Sequence, residues 1–231
     1  MEKPDFNKNW ATIAIIVLLL LFIGYIVVDV AIREEAPGVD SGIREESAEA
    51  DAWLTDRVFE PGKGQLNAIA TGENGRIILG GELFITCYDS GFSMLWDYKP
   101  EMPVTALSSK GGKTFAALQN RILVLDAEGK PAGEWGPYES DAHITSVSAG
   151  ETMAAIADAA NKKVYIVDMD GAVISISGKP EDPFIIPSFY FDVALENDRI
   201  FYVANTGNRR IEKRSTEGEM ISYFGKPGTE D

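Results

Sequence analysis

The sequence predicts an all-β fold, four-stranded antiparallel sheets set side by side, preceded by one transmembrane helix. Three observations carry that expectation. From Leu66 onward a four-part unit of short, alternating strands recurs at a spacing near 40 residues. Glycines mark its last turn at Gly91, Gly129, Gly171 and Gly218. Ahead of the repeat, Ala11–Val28 reads ATIAIIVLLLLFIGYIVV, without a charge.

Residues 1–9 form a short N-terminus and residues 10–32 the helix. About 20 apolar residues rising 1.5 Å each span a ~30 Å hydrocarbon core. Trp10 and Tyr25 suit the two interfaces. The stretch is longer than the apolar region of a cleaved signal peptide, and Asp29 spoils the one plausible cut at Ala31. Lys3 and Lys8 keep the N-terminus in the cytoplasm by the positive-inside rule, which puts the rest of the chain in the periplasmic or extracellular space. Residues 33–52 are a linker: in EEAPGVDSGIREESAEAD seven acids face Arg44, with almost nothing to bury.

Residues 53–231 hold the repeat. Each unit opens with an inner strand: LNAIAT (66–71), VTALSS (104–109), ITSVSA (144–149) and YFDVAL (190–195). The second strands are GRIILG, TFAALQ, MAAIAD and IFYVAN, and the third are ELFITCYD, RILVLDAE, KKVYIVDM and RRIEKRST. The fourth are MLWDY, PAGEWG, VISISG and MISYFG. Period-two alternation with Asp- and Gly-bearing turns makes each unit an antiparallel meander. Such a sheet cannot cover both of its own faces. Repetition packs each sheet on its neighbours, and their twist makes the stack radial, which is a β-propeller. Ile69, Leu107, Val147 and Val193 share one inner-strand slot and are expected between blades.

The last two units resemble NHL repeats. Ala157-Asp158 with Asn161 and Lys163-Val164 match that family's core pattern, as do Ala204-Asn205 with Asn208 and Arg210-Ile211. Pro187 matches the proline before an NHL inner strand. The first two units are generic blades, joining their second and third strands through Gly80-Gly81 and Gln119-Asn120. The resemblance speaks for fold more than for function. It implies a ring of six blades, which needs roughly 250 residues at ~40 per blade. About four blades are present here. Three readings follow: part of a larger ring, which we favour, half of a ring completed by a second chain, or four blades closing alone.

Composition removes much chemistry. The 231 residues carry 21 Lys+Arg against 36 Asp+Glu, a net charge of −15, which disfavours nucleic acid as a partner. One cysteine, Cys87, excludes an internal disulfide, and one histidine, His143, excludes two-His metal sites. No catalytic residue, metal or cofactor is assigned. Asp158, Asn161, Asn205 and Asn208 read as turn stabilisers, because Asx side chains bond nearby N–H groups. Lys162, Lys163, Arg209 and Arg210 follow those turns and form a candidate basic contact surface on one rim, with both Arg heads in solvent. Asp192 replaces Ala68, Ala106 and Ser146 in an inner-strand slot facing the channel, where it can bind a cation, a ligand or water. The apolar run Pro183–Phe191 reads as packing under the blade, with a partner patch as the rival.

The functional expectation is a membrane-anchored, extracytoplasmic propeller that binds or scaffolds a protein or envelope ligand. Residues 10–32 hold the membrane, and self-association through open blade faces is a further expectation. The alternatives are an accessory subunit of a membrane electron-transfer complex, or a propeller lyase whose catalytic residues lie in missing blades.

Overall fold

The computed structural model describes residues 58–188 and 190–225. The expected helix at 10–32, the linker at 33–52 and the start of the repeat at Trp53 lie outside them. Among the described residues no helix is long and apolar enough to cross a membrane.

Blade 1 comprises β1 (Leu66–Thr71), β2 (Ile77–Gly81), β3 (Ile85–Tyr88) and β4 (Met94–Tyr98). Blade 2 comprises β5 (Ala106–Lys110), β6 (Lys113–Leu118), β7 (Arg121–Leu125) and β8 (Pro131–Trp135). Blade 3 holds β9 (Ile144–Ala149), β10 (Met153–Asp158), β11 (Lys163–Asp168) and β12 (Val173–Ser177). Blade 4 holds β13 (Val193–Asn197), β14 (Ile200–Asn205), β15 (Arg210–Ser215) and β16 (Met220–Phe224). Each is an antiparallel meander with its strands in chain order. The inner strands β1, β5, β9 and β13 lie side by side, the arrangement of a β-propeller.

The turns explain the repeat. In blades 1 to 3 an Asp before the last turn accepts two backbone N–H groups. Asp89 takes those of Gly91 and Ser93, Asp126 those of Glu128 and Lys130, and Asp168 those of Asp170 and Ala172, at 2.8–3.0 Å. Gly129, Gly171 and Gly218 then adopt positive φ, and a Cβ on Gly129 or Gly171 would strike Trp96 or Trp135 of the preceding blade. Blade 1 departs from the expectation: its left-handed residue is Phe92 (φ 64), not Gly91, because Phe92 takes the place after Asp89 that glycine takes after Asp126 and Asp168.

The cores lie between blades. Ile78, Ile85, Cys87, Ala116, Leu118, Leu123 and Leu125 fill the first interface. Phe115, Ala117, Ile122, Val124 and Trp135 meet Ile144, Val147, Ala154, Ile156, Tyr165 and Val167 in the second. Ala155, Ala157, Val164 and Ile166 meet Val193, Phe201 and Val203 in the third, where Phe184, Ile186 and Phe191 also lie. The run Pro183–Phe191 therefore packs on its core side. Burial pushes the Cys87 thiol up, against the charge of Arg76.

Two sequence expectations need correction. Leu107, Val147 and Val193 are buried between blades, but Ile69 is 63% exposed. Its face of blade 1 points away from blade 2, and among the described residues no blade covers it. The last inner strand begins at Val193, not at Tyr190, because Phe191 turns its side chain into the core beside Phe184 at 5.3 Å.

Inner strands are also stitched by side chains. Thr105 Oγ1 donates to the Ile144 carbonyl and Thr145 Oγ1 to that of Phe191, both at 2.6 Å. Three residues on, Ser108 Oγ accepts the N–H of Ala149 and Ser148 Oγ that of Leu195.

Val193→Ala should lower stability by roughly 1–3 kcal/mol through lost burial and a cavity. Ile69→Ala, at the same slot but uncovered, should cost under ~0.5 kcal/mol. Denaturant unfolding of the two variants checks the difference.

Candidate functional site

The residues singled out by sequence converge on one rim of blades 3 and 4. The turn joining β10 to β11 and the turn joining β14 to β15 lie at the end where β9 and β13 begin, as the antiparallel order requires. Asp158 is fully buried there. Its Oδ1 accepts the N–H groups of His143, Ala160 and Asn161 at 3.0, 3.1 and 3.2 Å, and its Oδ2 accepts Asn161 Nδ2 at 2.8 Å. Asn205 does the matching work one blade on, its Oδ1 accepting the Ile185 N–H at 3.1 Å. Each side chain thus ties the incoming inter-blade connection to the turn. Asn208 closes the 3-10 turn Thr206–Asn208.

The four rim cations divide into two kinds. Lys162 and Arg209 occupy equivalent positions, are exposed, and both take positive φ, 56° and 51°. Lys163 is paired with Glu139. Arg210 corrects the expectation that both Arg heads reach solvent. Its Nη2 lies 2.6 Å from Glu212 Oε1, and its guanidinium sits 4.7 Å from the Tyr223 ring centre. The strand alternation points Arg210 and Glu212 to the same face, and Glu212 is buried.

Asp192 is exposed and precedes β13 on this rim. Its Oδ1 accepts the Ser146 hydroxyl of the neighbouring blade and the Val193 N–H at 2.9 Å. It links the inner strands of blades 3 and 4, and the residues in its slot in blades 1 and 2, Ala68 and Ala106, pack between blades. Among the described residues no group of three or more His, Cys, Asp or Glu is placed to hold a metal.

Sequence reasoning missed the strongest electrostatic feature. Arg214 is 1% exposed and Glu212 0%. Arg214 Nε donates to Glu212 Oε2 at 2.8 Å, and Nη1 to Asp182 Oδ2 at 2.5 Å and to the Gly218 carbonyl at 3.1 Å. Its guanidinium lies 4.8 Å from the Phe184 ring centre. Asn205 Nδ2 donates to Glu212 Oε1 at 2.8 Å. The group stands where blade 3 has Tyr165 and Val167 in the same register. The signal was available in RRIEKRST: period two sends Glu212 and Arg214 to the face that Phe201 and Val203 bury. Burial alone would push the Glu212 carboxyl up. Hydrogen bonds from Arg214, Asn205 and Arg210 outweigh that and hold it below the usual range. The Arg214 guanidinium likewise holds Asp182 low.

No family model and no curated protein sequence matches the chain. Solved β-propellers do. Virginiamycin B lyase from Staphylococcus aureus matches with a TM-score of 0.58 at 16% identity, over 70% of this chain and 56% of that one. The WD40 β-propeller domain of Doa1 gives 0.56 at 17%, over 73% and 56%. BamB from Moraxella catarrhalis gives 0.51 at 13%, over 68% and 49%. The chain spans about half the length of these structures, and the likeness is one of fold.

Removing one member of a buried ionic group strands the others, at about 3–5 kcal/mol. Arg214→Met should therefore lower stability sharply, while Arg209→Ala should change it by under ~0.5 kcal/mol. The depressed Glu212 and Asp182 carboxyls stabilise the fold fully above the ordinary carboxylate range. That contribution is lost as pH falls through their lowered values, below about pH 4. Acid unfolding followed by circular dichroism should show this loss, and a shallower one in Glu212→Gln.

Proposed function

We propose that this chain is a membrane-anchored, extracytoplasmic β-propeller whose rim binds an acidic protein or envelope ligand and holds it near the bilayer through residues 10–32. The observation that carries the reading is the pair Lys162 and Arg209. Both are exposed, stand at equivalent turns of adjacent blades, and keep a left-handed backbone that is costly for a side-chain-bearing residue. Glycine or asparagine would hold that turn with less strain. In a chain of net charge −15 such a pair is a local reversal of sign, and complementary charge sets partner choice and encounter rate more than raw affinity. Asp192, bonded to Ser146 and Val193, fixes the geometry of the two inner strands. Fold likeness to an enzyme adds little here, since the sequence has one histidine and one cysteine.

Lys162→Glu combined with Arg209→Glu should leave the melting temperature nearly unchanged. It should abolish pull-down of an envelope component that the wild type retains at low salt and releases at high salt. Equal capture by both proteins would remove the rim from the account. Protease added to intact spheroplasts should digest the propeller, and protection would reverse the orientation.

A further inference from the structure

We propose that the cleft where the end of β12 meets the turn between β15 and β16 binds the ammonium head of a lysine side chain presented by a partner protein. The inference rests on the joint between blades 3 and 4 and does not depend on what the basic rim binds.

The described residues hold three joints of one kind. In each, the turn before a blade's outer strand lies on the outer strand of the preceding blade. Gly129 of blade 2 lies on the indole of Trp96, and Gly171 of blade 3 on that of Trp135. Gly218 of blade 4 takes the same positive φ, but the side chain beneath it is Ser177, whose Oγ would stand 2.9 Å from a Cβ on that glycine. A hydroxyl stands where the other joints have an indole, and a cleft of about 300 Å³ opens beside it. Ser177 is 3% exposed, and its Oγ has no hydrogen-bond partner among the described residues. A buried hydroxyl left unpaired costs free energy that a polar group of a ligand in the cleft would recover.

The walls choose the ligand. Four carboxylates, those of Glu181, Asp182, Glu217 and Glu219, line the cleft against two cations, Lys179 and Arg214. Arg214 is already held by Glu212 and Asp182. Glu181, Glu217 and Glu219 make no side-chain hydrogen bond or ion pair among the described residues. Such a lining repels an anion and attracts a cation. Among the described residues no three acids are placed to hold a metal, so the cation that fits is organic. A primary ammonium has three N–H donors and no acceptor. The cleft offers it the buried Ser177 hydroxyl within and the exposed carboxylates of Glu217 and Glu219 at the mouth. Ile176 and the backbone of Gly178 and Gly218 give the methylene stem an apolar wall. An amino sugar carries its ammonium on a hydroxyl-bearing ring and would leave that wall without an apolar partner.

The test uses the full chain, isotope-labelled, in detergent micelles. The amide signals of Gly178 and Gly218 are followed as Nα-acetyl-lysine methylamide is added. Both should shift along one saturable curve, and added salt should weaken the binding. The Nε-acetyl form, which lacks the charge, and glucosamine should leave both signals unmoved. Glu217→Gln combined with Glu219→Gln should weaken binding roughly fivefold with the melting temperature unchanged, both groups being exposed. Ser177→Ala should weaken it roughly 3- to 10-fold without lowering the melting temperature, because it removes an unpaired hydroxyl. Ser177→Trp, which supplies the indole of the other joints, should abolish binding. No saturable shift with the lysine probe, equal binding of its Nε-acetyl form, glucosamine binding as tightly as lysine, or unchanged affinity in the double Gln variant would each overturn the proposal.

Discussion

A four-stranded sheet has two faces and can cover neither, and every other feature of this molecule follows from supplying each face with a neighbour. The solution is graded in size. Near the axis the inner two strands of blades 2 and 3 use Ala106, Ala116, Ala117, Ala154, Ala155 and Ala157, all buried. Toward the rim the same interfaces use Ile122, Trp135, Tyr165 and Val167. Small side chains let sheets approach at the centre and large ones hold them apart outside, so the stack fans into a propeller. Glycine serves the same end where a turn lies flat on the indole of Trp96 or Trp135.

Polar groups are placed so that this burial is not undone. The Asp89, Asp126 and Asp168 turns satisfy backbone donors within their own hairpins. Asp158 and Asn205 satisfy the connections between blades. Between blades 3 and 4 the apolar rule is suspended: Glu212 and Arg214 enter the interface together, with Asn205 and Arg210 bonded to Glu212 and Asp182 to Arg214. A buried ionic group of this kind adds little net stability but fixes register strongly, since any slip by one residue strands a charge. That suits a blade whose other face lies open.

Much of this was legible in the sequence. β1, β4, β9, β10 and β14 have the bounds that alternation gave them, because two-residue periodicity and Asx turns are local properties. The turn roles of Asp158 and Asn161 were legible for the same reason. Less legible was anything set by a neighbour. Ile69 reads like Val147 and Val193, yet only the latter two have a sheet against them. Arg210 reads like Arg209, yet one residue of register sends the first to Glu212 and the second to solvent. Phe191 reads as strand, but tertiary packing beside Phe184 takes it out of the ladder.

The central claim is that coverage of sheet faces holds the molecule together, and amide hydrogen exchange followed strand by strand measures it directly. Residues 154–157 of β10, covered on both faces, should exchange most slowly. Residues 201–204 of β14, in a sheet with one face open among the described residues, should exchange faster. Protection of β14 equal to that of β10 would contradict the account.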